Sequence, residues 1–372
     1  MLTARSVGAA PRRTLARCGN AVCAAHGQCR GRAIRMRTIW VISDGAAGNR
    51  RQALALAAAL GGPVRELQLR PRAPWRWFGP RLALGGAYVW GAQGYAALTP
   101  PWPPLAIGCG RHAALATRLL RRFSRGLTRT VQILDPRAPP RYWDLVIAPR
   151  HDALAGGNVL APLGSLHPVD ATWLADARAA WVEMARLPPP RTGVLLGGPR
   201  RGVALDARWQ ARCAAVLRGL LAGGGSALVV ASRRTPPGLA DAIARALPGV
   251  PVRLWRDARD GANPYPGVLA WADRLLVSPD SVNMLSEAAA TGVPVHTVLA
   301  APLPPRLARF HAALRAGGWL VEPGAPRAAA MPLRETAAIA QQVRQRLGWD
   351  LAPAGHGGDG SGTVLEEPQS GE

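Results

Sequence analysis

Asp280, Met284 and Glu287 stand at the i, i+4 and i+7 positions of "VSPDSVNMLSEAAATGVPVHTV", Val277 to Val298. That spacing puts all three on one face of a helix, with Asn283 one turn before the glutamate. Leu285, Ala288, Ala289 and Ala290 surround Glu287 with apolar side chains, which penalise a carboxylate that has no polar partner. An apolar run, "DRLLVS", precedes the helix, and Asp280 or Ser281 is the natural N-cap. The free N–H groups of the helix tip then favour an anion beyond the strand end. A diphosphate held there would place a ribose about two turns along the same face, where a carboxylate accepts from vicinal hydroxyls. The plain alternative is a glutamate paired with one of the chain's many arginines.

Other strand-to-helix turns carry the same chemistry. "DGAAGN" (Asp44 to Asn49) follows "RTIWVIS", and Gly45, Gly48, Asn49 and Gln52 are candidates to line a substrate. "GCGR" contributes Gly108, Gly110 and Arg111 after a later strand. "GGPRRG" plays the corresponding part further on with Gly197 and Gly198, and "ASRRTPP" ends a strand in Ser232, Arg233, Arg234 and Thr235, where paired arginines offer bidentate phosphate contacts. Taken singly, each is equally a structural turn or a solvated basic loop. In "DGANPYPG", Asn263 and Tyr265 are placed to close over a base or sugar, although a purely structural turn fits as well. As candidates for a general base, Asp44, Asp135 and the His151/Asp152 pair all follow strands, and the sequence does not choose among them. No paired-carboxylate motif calls for a metal.

These turns need strands and helices to hold them. From Thr38 the chain alternates short apolar runs with helical patterns, the mark of an α/β protein with parallel strands. Its 372 residues, 48% of them apolar, exceed one hydrophobic core and imply two domains. "RLPPPRTG" (Arg186 to Gly193) has linker composition. The expected division is therefore an N-terminal extension over 1–36, one Rossmann-like domain over 37–187, a second over 188–349 and a disordered tail over 350–372. Residues 1–36 are rich in arginine and free of acid, as in a transit peptide or a misassigned start. Cys18, Cys23 and Cys29 lie there with His26 at no dependable zinc spacing, while Cys109 and Cys213 read as reduced core residues.

The formal charge of +24 arises wholly from arginine, with no lysine, as a GC-rich genome would produce. What survives that discount is a preference for anionic partners: phosphates, a nucleotide, an acidic lipid. Aromatic residues are not interleaved with basic ones in any nucleic-acid module, so no nucleic-acid partner is expected. The stretch Trp75 to Trp102, rich in tryptophan and arginine, is either packed core or an interfacial patch for a lipid-linked acceptor at an anionic membrane. No run is long and unbroken enough to span a bilayer. A cytoplasmic protein, peripheral at the inner face of the inner membrane, is the expectation.

The strand, Asp-Ser, helix, Glu and "TGVPV" in succession resemble the nucleotide-sugar segment of GT-B glycosyltransferases. More closely, "WVISDGAAGNRRQ", "PPLAIGCGR", "VQILDPRAPPRYWDLVIAPRHD", "NVLAPLGSLHPV", "LLGGP", "SRRTP" and "NPYPGVLAWADRLLVSPDSVNMLSEAAATGVPV" are similar to the mitochondrial-fission ELM family over roughly Trp40 to Val298. That resemblance implies two Rossmann-like domains facing across a cleft. It also implies a nucleoside-diphosphate sugar as donor substrate, no permanently bound cofactor, and an envelope or lipid-linked glycan as acceptor. In this reading Ser281 and the adjacent N–H groups hold phosphate, Glu287 the ribose, and Arg233 and Arg234 offset the departing charge. Two rivals come with the resemblance: a non-catalytic adaptor at a membrane surface, as in the eukaryotic members, and a nucleoside-diphosphate-sugar epimerase.

Overall fold

The computed structural model describes residues 38–325 and 330–349; the cysteine cluster, the extension over 1–36 and the tail lie outside them. In the N-terminal half, β1 (Ile39–Ser43), β2 (Val64–Gln68), β3 (Leu105–Cys109), β4 (Arg129–Ile133), β5 (Leu145–Ile147) and β6 (Val159–Leu160) form a parallel sheet in the order β2-β1-β3-β4-β5-β6. Its helices are α1 (Ala47–Leu60), the short α2 (Trp75–Phe78) and α3 (Gly91–Ala96), and α4 (Arg111–Phe123), with α5 (Ala171–Ala180) leading to the second half.

There β7 (Arg191–Leu196), β8 (Ser226–Ala231), β9 (Val252–Trp255), β10 (Arg274–Val277) and β11 (Val295–His296) form a second parallel sheet, β11-β10-β7-β8-β9. Around it lie α6 (Ala207–Leu221), α7 (Leu239–Arg245), α8 (Tyr265–Trp271), α9 (Val282–Ala289), α10 (Pro305–Ala316) and α11 (Thr336–Leu347). The fold is the expected α/β pair of Rossmann-like domains. "RLPPPRTG" is only partly linker, because β7 begins at Arg191 inside it.

The central strands of both sheets are buried on two faces, which is why β1, β3, β8 and β10 read as apolar runs, whereas the edge strand β2 is exposed. Ile39 and Val41 of β1 join one core with Leu56, Leu60 and Ile107, while Trp40 and Ile42 point the other way into a core with Leu115 and Trp90. The same alternation recurs in the second sheet, where Leu195 and Leu275 face Phe310, and Val194 and Leu276 face Trp209.

The halves exchange elements across the boundary that composition suggested. Ile339, Ala340 and Val343 of α11 pack into the core beneath β1 and β3, in the N-terminal half, although α11 comes last in the chain. In the other direction Val169 and Met184, which flank α5, enter the core of the second sheet, and α5 lies against α8. Helix periodicity shows that α11 has an apolar face and not which sheet that face covers. Cys109 and Cys213 are buried, and burial pushes both thiols up, Cys213 to about 12.

A candidate site between two switch points

In an open parallel sheet, a ligand binds beyond the carboxyl ends of the strands where the strand order reverses. In the first sheet that point falls between β1 and β3, which sit side by side and send their connections to opposite flanks. The loops leaving them are Asp44–Asn49 and Gly110–Arg111. In the second sheet it falls between β7 and β10, whose loops carry Gly197, Gly198, Asp280 and Ser281. Topology thus gathers the glycine turns of the sequence into two places, and side-chain contacts show that those places touch.

Arg51 of α1 donates from one nitrogen to both Glu287 carboxylate oxygens, at 3.0 and 2.9 Å. The Tyr265 hydroxyl donates to the same carboxylate from within the second half. Beside them, Gln52 Nε2 donates to Asn283 Oδ1 at 3.3 Å, and a Cβ on Gly48 would lie 2.1 Å from Asn283 Nδ2, so only glycine lets the two helices approach this closely. Glu287 is 3% exposed, and its carboxylate points across the junction toward the N-terminal half. Burial works against the Arg51 charge, but Glu287 and the Tyr265 phenol more than offset it, and the Arg51 pKa is raised. Burial, reinforced by Glu287, holds the Tyr265 phenol well above its usual range. Burial also lowers the pKa of His167, which nevertheless feels the Glu287 charge.

Two helix N-termini converge here. Ser281 caps α9 by accepting from Met284 N at 3.3 Å, and neither α1 nor α9 carries an acid in its first turn. Their positive ends, with Arg51 between, make the junction suited to an anion. Asp44 stands at the edge of the site and accepts from Ala46 N at 3.0 Å and Asn49 Nδ2 at 3.2 Å.

Several candidate ligand residues have their side chains engaged within the protein. Asp280 is fully buried: it accepts from Ser278 Oγ at 2.6 Å, from Gly198 N at 3.2 Å and from Arg234 Nη2 at 2.8 Å, so it braces the β7 and β8 loops instead of meeting solvent. Gly197 is required because a Cβ there would strike the Asp280 carboxylate. Thr235 Oγ1 accepts from Ser232 N at 2.7 Å and donates to Leu196 O at 2.8 Å, which closes the β8 turn and ties it to the end of β7. Arg233 stays exposed, and Met284 is half-buried beside Asn283.

Tyr265 is buried under Glu287, and exposed Asn263 accepts from Tyr265 N at 3.0 Å, as a structural turn also would. Gly108 is a packing glycine, since a Cβ would meet the Gln132 and Thr117 side chains. Gly45 has φ +85° and turns the β1 loop, and a Cβ on Gly110 would collide with Asn49. Arg111 points away from the junction, with its guanidinium on the carbonyls of Gly79 and Trp77.

Of the other two candidate bases, one is paired and the other is buried. Asp135 accepts from Arg137 N at 2.7 Å and pairs with the same arginine, as an Asp-Pro turn does. His151 is buried against Phe310, ring centroids 5.1 Å apart, and its carbonyl accepts from Arg309 at 2.8 Å while Arg306 pairs with the adjacent Asp152. Burial, then the charge of Arg306, pushes the imidazole down to about 4. His151 and Asp152 therefore form a second bridge between the halves, on α10. Arg51 and this α10 bridge were missed from sequence. The i, i+3, i+4 stripe Gly48, Arg51, Gln52 was the signal for the first.

The profile of the family described as Mitochondrial fission ELM1 matches residues 47–347. The chain is 31% identical over 282 residues to mitochondrial fission protein ELM1 of Arabidopsis thaliana, covering 67% of this chain and 66% of that protein, just under two thirds of its length. It is 23% identical over 292 residues to the uncharacterized protein RP120 of Rickettsia prowazekii (strain Madrid E), covering 69% of this chain and 82% of that one. Among solved structures, UDP-GlcNAc 2-epimerase from Methanocaldococcus jannaschii superposes with a TM-score of 0.52 at 12% identity, over 83% of this chain and 99% of that one, a likeness of fold alone. Two Rossmann-like halves in GT-B arrangement, with a family profile running through both of them, make this chain a member of the mitochondrial fission ELM1 family.

Proposed function

We propose that the junction binds a nucleoside-diphosphate sugar and that the protein transfers the sugar to an envelope or lipid-linked acceptor. The observation that carries this reading is Glu287: a buried acid in the second turn of α9, past the second switch point, with its carboxylate turned toward the opposite half. Ser281 and the first N–H groups of α9 hold the diphosphate, and the ribose hydroxyls take the place of Arg51 on Glu287. Arg51, once released, lies beside the diphosphate with Arg233 and Arg234 and offsets the charge that develops on it.

Among the three candidate bases, the position of Asp44 at the first switch point, half-exposed and oriented by Asn49, supports it best. It takes the proton from the acceptor hydroxyl as that oxygen attacks the anomeric carbon, and the nucleoside diphosphate departs with the bonding electrons. The base, the sugar and the acceptor's identity are parts of the proposal.

A second reading draws on the same ion pair. With Glu287 already satisfied by Arg51 and Tyr265, the shape is complete without a nucleotide, as an adaptor requires. Calorimetry with UDP-, GDP-, ADP- and CMP-linked sugars separates the two. One of them should bind the wild type, and Glu287→Ala should weaken it about a hundredfold, the effect of deleting a charged acceptor of two hydrogen bonds. Absence of binding by all four would leave the adaptor. A free sugar nucleotide altered without any acceptor would mean epimerisation instead of transfer.

A further inference from the structure

From Leu67 to Leu134 the chain runs sixty-eight residues with ten arginines and no aspartate or glutamate. This run includes the excursion after β2, which the candidate site does not use. Short elements there push apolar side chains outward: Trp77 is 57% exposed, Phe78 59%, Leu84 63% and Tyr88 77%. The excursion is firmly mounted. The Arg111 and Arg118 guanidinium groups of α4 bind the carbonyls of Trp77, Gly79, Pro80 and Arg81, and Trp75 Nε1 donates to Leu84 O at 2.6 Å. Its buried side, with Leu69, Val89, Trp90 and Leu98, belongs to the core under β1 and β3. The exposed aromatics are therefore presented by a fixed platform.

Beside them lies a hollow of about 440 Å³ lined by Arg81, Leu82, Leu84, Arg118, Arg122 and Tyr142. Arg118 stacks over the Tyr142 ring at 3.7 Å, and Arg76 lies over Trp77 at 5.3 Å. Among the described residues, Arg121 and Arg129 are paired with Asp144, whereas Arg72, Arg76, Arg81 and Arg122 are exposed and pair with no carboxylate. Four protruding apolar side chains, with arginines on the same segment and on α4 that no carboxylate neutralises, match the depth profile of a bilayer interface, where aromatic rings sit at headgroup level and arginine meets phosphate. A protein partner would need a shaped groove for these side chains. Instead they project singly from α2, from the turn at Leu84 and from the helical turn Gly86–Val89.

We propose that this face docks the protein on an anionic phospholipid bilayer, with Trp77, Phe78, Leu84 and Tyr88 entering the interface and Arg76, Arg81 and Arg122 on lipid phosphates. Because Arg111 ties α2 to the start of α4, just past β3, the docked face lies at the same end of the first sheet as the candidate site. The surface stands whether or not the junction binds a sugar nucleotide.

Sedimentation of the full chain with vesicles tests it. Wild type should bind vesicles containing roughly one third phosphatidylglycerol and lose most of that binding on pure phosphatidylcholine. Trp77→Ser with Phe78→Ser should weaken binding to the anionic vesicles about tenfold or more, and Arg76→Gln or Arg122→Gln about fivefold each. Since a chain of charge +24 adheres weakly to any anionic surface, Arg218→Gln with Arg245→Gln, on α6 and α7, serves as the control and should change binding less than twofold. The proposal is overturned if wild type ignores anionic vesicles, if the aromatic variant binds as wild type does, or if the control pair weakens binding as much as Arg76 and Arg122. An unchanged melting temperature and unchanged nucleotide calorimetry in the aromatic variant show that a loss of vesicle binding comes from the surface.

Discussion

The Arg51–Glu287 pair joins the two halves, and its worth can be measured by a double-mutant cycle. Side-chain exposure is 4% for Glu287 and 39% for Arg51, so the acid is desolvated while the guanidinium keeps part of its hydration. Fully exposed pairs contribute about 0.2–1 kcal/mol. Breaking a fully buried one by removing one partner costs about 3–5 kcal/mol, because a charge is left unpaired. A pair buried at one end belongs between these, at about 2 kcal/mol. Arg51→Met keeps much of the stem and removes the charge, leaving Glu287 with the Tyr265 hydroxyl alone. Glu287→Gln keeps an acceptor for both partners and removes the negative charge. Each single change should lower the melting temperature by about 4–8 °C. The double change should cost about 2 kcal/mol less than the sum of the two, because the second loses a partner already gone. Urea unfolding followed by circular dichroism and by tryptophan fluorescence supplies the four free energies. If the two single costs add to within about 0.5 kcal/mol, the pair does not couple the halves and the reasoning fails.

Three further outcomes follow from packing and titration. His151 and His311 have native pKa values lowered to about 4 from 6.5, both chiefly by burial, so the unfolded chain binds protons that the native one refuses. Stability is then whole above pH 6.5 and falls as pH drops from 6.5 toward 4, by up to about 3 kcal/mol per histidine; urea midpoints at stepped pH should decline in that window and flatten below it. Asp280→Ala should cost about 3 kcal/mol in urea unfolding, since it strips Ser278, Gly198 N and Arg234 of one shared acceptor in a fully buried place. Gly198→Ala should destabilise by more than about 2 kcal/mol, because its Cβ would lie 2.1 Å from the Arg234 carbonyl oxygen and backbone must move, with the loss read as a lower melting temperature.

What the sequence made legible and what it did not have separate physical causes. Strands and their glycine turns were plain because a sheet covered on both faces needs unbroken apolar runs, and a loop entering a helix at close quarters needs glycine. The position of Glu287 was legible too, since an acid among alanines must meet something polar. Its partner was harder to see: Arg51 lies 236 residues away, and only its place on the stripe with Gly48 and Gln52 sets it apart from the arginines around it. The role of Asp280 stayed open for the opposite reason. A cap-like Asp-Ser pair before a helix gives no sign of whether its carboxylate faces solvent or the loops of neighbouring strands, and here Ser281 caps while Asp280 turns inward. Arg111 was placed by the dipole argument at an anion site, but the carbonyls of the Trp77–Gly79 segment compete for it and hold it. The exchange of α11 and α5 between halves escaped because composition marks linkers along the chain, and these helices cross the boundary in space.

The ion pair itself bears on why Glu287 is there. Replacing a buried ion pair with apolar side chains of similar volume is often neutral or stabilising, because mutual attraction only repays the desolvation of both charges. Leu285, Ala288 and Ala289 show that α9 readily accommodates apolar side chains around Glu287, so burial alone does not explain a carboxylate at this position. Tyr265, whose hydroxyl is spent on the same carboxylate, adds a second buried polar group that an apolar junction would not need. An Arg51→Leu, Tyr265→Phe, Glu287→Leu triple variant should therefore keep the wild-type melting temperature to within about 5 °C while losing all sugar-nucleotide binding. A large collapse in stability would instead assign the cluster to the architecture, and retained nucleotide binding would remove Glu287 from the proposed site.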